Sequence, residues 1–180
     1  MPRDGGSARL FLALWPDAPT RAALARCRDA WVWDAGARPE PDERLHLTLH
    51  FLGAVPQQRL PELVEGLDVA APRFVLTLGR LVRWTNAVAV LEPFDAAPAL
   101  PHLLHWHAAL RERLESLALP VDRRSFRPHV TLARRVGPGA VPPSDPAPVR
   151  WPVRGHALVE SLAGNRGYVV LRHFGAPQPG

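Results

Sequence analysis

LHLTLHFL, residues 45–52, alternates apolar and polar side chains from Leu45 to Phe51. In a β-strand, residues i and i+2 share a face. His46 and Thr48 therefore project together, while Leu47 and Leu49 point into a core. Gly53 closes the strand. The same signature returns in RPHVTLAR, residues 127–134, where His129 and Thr131 share a face against Val130 and Leu132. The chain holds 8 histidines and 5 threonines. Random placement would give about 0.2 His-x-Thr triplets, and two or more about one time in fifty. The pair is a signal rather than an accident.

The segments leading to the two motifs also echo each other. LFLALWPDAP (Leu10 to Pro19) and VAVLEPFDAAP (Val88 to Pro98) each read as an apolar strand, a proline turn carrying an aspartate, and the start of a helix. Strand, helix and His-x-Thr strand thus occur twice. This predicts an α+β fold built from a duplicated β-α-β unit, two lobes related by a pseudo-twofold axis.

The remaining elements fit around this frame. Met1 to Ala8 reads as a loose end and the last six residues as a tail. Arg9 to Trp15 is a strand. Pro19 to Trp33 is a helix capped by Asp17 or Thr20, with Leu24, Cys27, Ala30 and Trp31 on one side. Gly36 to Asp42 is a loop. Gln57 to Leu67 has helical spacing. Arg73 to Trp84 and Ala87 to Leu91 form a hairpin across Thr85-Asn86. Pro98 to Leu117 is the longest helix, Gly137 to Pro148 a loop. Val149 to Ser161 and Tyr168 to Phe174 are a closing hairpin across Gly164-Asn165. One bilobal domain over residues 1–180, with its core at 9–174, is expected.

Composition narrows the chemistry. The 180 residues are 47% hydrophobic and 22% charged, an ordinary globular balance. All 22 basic residues are arginine and none is lysine, against 17 acidic residues, for a net charge of +5. The arginine excess reads as a coding bias and requires no dense basic patch. A lysine nucleophile, a Schiff base and a Walker lysine are excluded. Phosphate must be held by arginine, hydroxyls or backbone amides. The single cysteine, Cys27, excludes an intrachain disulfide and a cysteine-rich metal site, and reads as inert core. No run approaches the roughly 20 apolar residues of a membrane span. Leu10 to Trp15 is too short for a signal peptide. A soluble, cytoplasmic, monomeric chain with no membrane association and no obligate protein partner is expected.

A pseudo-twofold brings two imidazoles and two hydroxyls into one cleft. An unperturbed histidine value of about 6.5 lets one ring be neutral while the other is protonated, so the two divide acid and base work. Threonine hydroxyls donate to the non-bridging oxygens of a phosphate held between them.

HLTL and HVTL, the phrases HLTLHFLG (His46 to Gly53) and FRPHVTLAR (Phe126 to Arg134), and the RLFLAL opening together resemble the two-histidine (2H) phosphoesterase superfamily, in particular its bacterial RNA 2′,3′-cyclic phosphodiesterases, historically called 2′-5′ RNA ligases. The resemblance spans Arg9 to about Phe174. It implies antiparallel sheets lining a central cleft with helices outside. It also implies opening of a 2′,3′-cyclic phosphate, on an RNA end or a small cyclic nucleotide, to a 2′-phosphomonoester without metal or cofactor. By motif position His46 resembles the proton donor to the departing 3′-oxygen and His129 the proton acceptor that activates water. Thr48 and Thr131 correspond to the phosphate-holding hydroxyls and Arg134 to the arginine that pairs with phosphate.

His50, Phe51 and Arg127 flank the motifs and are candidates for lining the cleft. His50 stands where the family commonly has a basic residue, and shares strand parity with His46 and Thr48. Arg134 falls on the opposite face from His129 by strict alternation, and reaches phosphate only if the strand ends, twists or bulges near Ala133.

Other features have plainer readings. His102 and His105 lie one turn apart on the long helix without a supporting carboxylate or cysteine, so they and His107 read as solvated helix-face histidines rather than metal ligands. His156 and His173 carry no pattern. Trp31 and Trp33 read as packing, whereas Trp84 and Phe51 are candidates for stacking on a base. Gly137-Pro138-Gly139 lacks the lysine and hydroxyl of a phosphate loop. Two alternatives remain open from sequence: 2′-5′ joining of RNA at the same site by microscopic reversibility, and a non-catalytic nucleotide- or RNA-binding module. Product analysis separates the first, and tight AMP binding without turnover would mark the second.

Overall fold

The computed structural model describes residues 6–175. Nine strands form one antiparallel sheet: β1 (Ser7–Leu14), β2 (Arg38–Pro39), β3 (Leu47–Pro56), β4 (Phe74–Arg83), β5 (Val88–Pro93), β6 (Val130–Arg134), β7 (Val149–Val153), β8 (Gly155–Ser161) and β9 (Tyr168–Gly175). Among the described residues, three α-helices accompany them: α1 (Ala18–Asp29), α2 (Leu60–Gly66) and α3 (Leu100–Ser116). The strand order is β7-β4-β5-β6-β3-β1-β8-β9, with β2 added beside β6.

This order has two matching halves. Reading outward from the centre, β3, β1, β8 and β9 on one side answer β6, β5, β4 and β7 on the other. The halves meet where Leu47 of β3 pairs with Val130 of β6, the residues that follow His46 and His129. The duplicated unit is therefore present, with α1 after β1 and α3 after β5 in equivalent places.

The sheet is strongly curled. Only Arg154 separates β7 from β8, although the two lie six intervals apart in the strand order. A flat sheet would set them roughly 29 Å apart, whereas two peptide steps reach about 7 Å. The expected single strand from Val149 to Ser161 is thus two strands serving opposite halves. Gly155 makes the crossing feasible, because a Cβ there would fall on the Phe174 carbonyl oxygen. The closing hairpin across residues 164–165 is β8–β9 alone.

Other boundaries shift for local reasons. Asp17 caps α1, accepting from the Thr20 amide at 3.0 Å, but the helix ends at Asp29 rather than Trp33. Val32 instead bridges to Val141, tying down the expected loop, and Trp31 and Trp33 stack at 4.8 Å as packing. Part of the expected 36–42 loop is strand β2. The second motif strand begins at Val130 rather than Arg127 because Pro128 supplies no ladder donor. Residues 57–67 divide into a 3-10 turn and α2. The hairpin turn uses Trp84 to Ala87, with Ala87 at φ 62°. Ser7 and Ala8 belong to β1, and Ala8 is buried, so the loose N-terminal end does not extend that far. The readings for residues 1–5 and 176–180 lie outside the described residues.

The core lies between the sheet and the helices. α3 buries Leu103, Trp106, His107, Leu110 and Leu114, a helical stripe, and α1 buries Leu24 and Cys27. No helix among the described residues is long and apolar enough to cross a membrane.

Candidate active site

The opposite face of the sheet forms a cleft of about 410 Å³ at the junction of the halves, and His46, Thr48, His129, Thr131 and Arg134 all line it. The Leu47–Val130 pair explains why. Continuing that antiparallel register one residue either way sets His46 opposite Thr131 and Thr48 opposite His129. Directly opposed Cβ atoms lie about 5 Å apart and diagonal neighbours about 7–8 Å. The two histidines take one diagonal of this rectangle and the two threonines the other.

The imidazoles are held alike. Nδ1 of His46 donates to the Arg44 carbonyl at 2.6 Å, and Nδ1 of His129 to the Arg127 carbonyl at 2.8 Å. A carbonyl only accepts, so each Nδ1 carries the proton and each Nε2 keeps its lone pair when the ring is neutral. Nε2 of His46 lies 3.1 Å from Oγ1 of Thr48.

Their surroundings differ. His46 sits among Phe11, Trp15 and Tyr168, with ring centroids 5.1, 5.6 and 5.1 Å away. Burial pushes it down to about 4, helped by the positive fields of His129 and Arg134 and opposed by its bond to Arg44. His129 packs against Trp84 at 4.4 Å. Burial lowers it as well, while its bond to Arg127 and the charge of Glu92 act in the opposite direction.

Two β-bulges decide what else faces the cleft. On β3, Thr48 pairs with Ala13 and His50 with Leu12, so Leu49 is an extra residue and the alternation reverses after it. His50 therefore does not share a face with His46, contrary to the parity expectation. It is 2% exposed, beneath a neighbouring recess, with Nε2 on the His107 carbonyl at 2.9 Å. His107 is not solvated either: it is buried, its ring stacks on His50 at 3.9 Å, and Nε2 bonds the Leu49 carbonyl at 3.0 Å. Phe51 takes the place His50 gives up and lines the cleft.

On β6, Thr131 pairs with Val90 and Ala133 with Ala89, so Leu132 is the extra residue. The reversal brings Arg134 onto the cleft face, where its Nε donates to Oε1 of Glu40 at 2.8 Å. Arg127 does not line the cleft itself. It lies over Trp84 at 4.7 Å in the adjoining recess.

Glu40, Trp15 and Tyr168 lacked any motif. Glu40 is brought in by β2, whose register was invisible in a proline-rich stretch, and Tyr168 by the closing strand. Trp15 alone had a sequence signal, its place in the internal echo. Among the described residues, no group of three or more His, Cys, Asp or Glu side chains is placed to hold a metal ion.

A curled antiparallel sheet with matched His-x-Thr strands at its centre defines a two-histidine phosphoesterase. The family model described as "LigT like Phosphoesterase" matches residues 14–90. A Thermus thermophilus relative named RNA 2′,3′-cyclic phosphodiesterase is 32% identical over 92% of this chain and 89% of its own length. An Escherichia coli relative of the same name is 30% identical over 70% of this chain and 71% of its own length. The crystal structure of E. coli LigT complexed with 3′-AMP superposes with a TM-score of 0.77 at 26% identity, covering 96% of this chain and 99% of that one. The chain belongs to the LigT-like phosphoesterase family.

Proposed function

We propose that this protein opens 2′,3′-cyclic phosphate ends of RNA to 2′-phosphomonoesters by paired-histidine acid–base catalysis. The observation that carries the proposal is the register at Leu47–Val130, with both histidines and both threonines lining one cleft. The names of the relatives supply the substrate class.

Water attacks phosphorus in line with O3′. His129 Nε2 takes the water proton as the new O–P bond forms, and His46 Nε2 gives its proton to O3′ as the P–O3′ bond breaks. Thr48 and Thr131 donate to the non-bridging oxygens, and Arg134 turns from Glu40 to balance their charge. Each proton transfer contributes on the order of 10²–10⁴ in rate. The substrate's negative charge favours the protonated state of His46, so the acid is charged when phosphate arrives.

The test is turnover of an oligonucleotide ending in a 2′,3′-cyclic phosphate. His46→Ala and His129→Ala each abolish it while circular dichroism and melting stay native, and wild-type turnover persists in EDTA. Full activity in either variant would refute the assignment, and loss on chelation would replace it with a metal-dependent reaction.

One observation favours 2′-5′ joining as a second activity. A recess of about 400 Å³ adjoins the cleft and shares Thr48, Phe51, Trp84 and His129 with it, giving room for a nucleoside on each side of the phosphate. Supplying a 5′-hydroxyl partner and analysing the linkage formed distinguishes joining from hydrolysis.

A further inference from the structure

Trp15 and Glu92 occupy the same place in the two halves of the sheet. Leu14 pairs with Leu47, and Leu91 pairs with Val130. Trp15 and Glu92 are the next residues along, and each precedes a proline. The histidines beside them are held by the same Nδ1-to-carbonyl bond two residues back. The groups behind the two rings differ. Trp15 stacks on His46 at 5.6 Å. Its counterpart in the other half is a carboxylate, 1% exposed.

That carboxylate is tied to the side chains of two residues that contact His129, Trp84 and Arg127. Oε1 of Glu92 accepts from Nε1 of Trp84 at 2.9 Å and pairs with Nε of Arg127 at 2.7 Å. Trp84 presents its ring to His129 at 4.4 Å, and the Arg127 carbonyl receives the His129 Nδ1 proton. Oε2 pairs with Nη2 of Arg80 at 2.6 Å on the far side. Trp84 also borders both the cleft and the adjoining recess.

We propose that Glu92 is a positioning residue that breaks the symmetry of the two histidines and makes His129 the proton acceptor. An anion near an imidazole favours its protonated form, whereas burial without a counter-charge disfavours it. The charged groups around His129 are Glu92 from β5, Arg127 and Arg134 from its own segment, and His46 across the seam, with Arg80 and Asp95 beyond Glu92. Of those acting directly on His129, Glu92 favours its imidazolium and both arginines oppose it. His46, lacking such a carboxylate, parts with its proton more readily and suits the leaving group. This inference rests on the division of labour proposed above.

The experiment is an NMR titration of both imidazoles in the wild type and in Glu92→Gln, which keeps the side-chain shape and an acceptor for Trp84 but removes the charge. The wild type is expected to show His129 titrating above His46. In Glu92→Gln, His129 moves down by on the order of one unit while His46 stays in place. The alkaline limb of the rate profile moves down with His129, while the acid limb stays in place. His46 titrating at or above His129 in the wild type overturns the proposal, as does an unmoved His129 in a folded variant. Should Glu92→Gln not fold, the wild-type order alone decides. An inactive wild type with the expected order of titration would instead count against the proposed reaction.

Discussion

Phe51 and Arg134 stand at equivalent positions in the two halves of the sheet, each three residues past its motif threonine, and a one-residue bulge turns each into the cleft. One fold device thus delivers two chemistries, an exposed aromatic face from one half and a guanidinium from the other.

The two substitutions are expected to partition differently. Arg134→Gln removes a charge-assisted phosphate contact of about 1.5–3 kcal/mol and lowers kcat/KM by about 10- to 100-fold. Arg134→Lys recovers only part, because a point charge does not replace the planar fork. Phe51→Ala removes a stacking surface, so KM rises about tenfold while kcat changes little. Steady-state kinetics on a cyclic-ended oligonucleotide reads both. A fall in kcat for Phe51→Ala as large as that for Arg134→Gln would show that the ring does more than bind.

The rate profile should lie on the acid side of the ordinary histidine value. Burial lowers both imidazoles, His46 to about 4, so the unliganded pair is neutral at pH 7. The reactive state carries one proton on the pair, and its population peaks between the two values, below about 6.5. kcat/KM therefore peaks below that pH and declines as pH rises through neutrality. Bound phosphate favours the imidazolium, so the bell for kcat is displaced upward. Coincident bells centred above pH 7 would contradict this account.

Acid stability follows from histidines outside the cleft. His107 and His156 are buried, and burial pushes each down to about 4. The unfolded chain takes up protons first, near 6.5, so stability is full above that pH and falls toward about 4. His156, bonded through Nε2 to the Leu67 carbonyl at 3.0 Å, accounts for on the order of 3 kcal/mol at most. Urea denaturation at pH 7.5 and 4.5 should show the loss. His156→Gln, which keeps a donor for that carbonyl, should show a smaller one.

The crossing at Gly155 is expected to be intolerant of a side chain. Gly155→Ala sets a methyl against the Phe174 carbonyl and separates β8 from β9. A cost of roughly 2 kcal/mol or more, read as a lower melting temperature, is expected. A melting curve unchanged from wild type would mean that the pairing at this corner relaxes freely.

The amino-acid sequence by itself determined the duplicated unit, the two His-x-Thr strands and the absence of lysine chemistry. All of these are local: strand parity sets His46 with Thr48 and His129 with Thr131, and repetition of a short pattern needs no partner to be seen. The tertiary structure alone decided that Leu49 and Leu132 bulge, which hides His50, admits Phe51 and Arg134, and leaves Glu92 behind one histidine and Trp15 behind the other. A bulge is a mismatch of register between two strands, so it exists only once both are paired. The burial of Glu92 likewise depends on partners from neighbouring strands and segments that no stretch of chain contains alone.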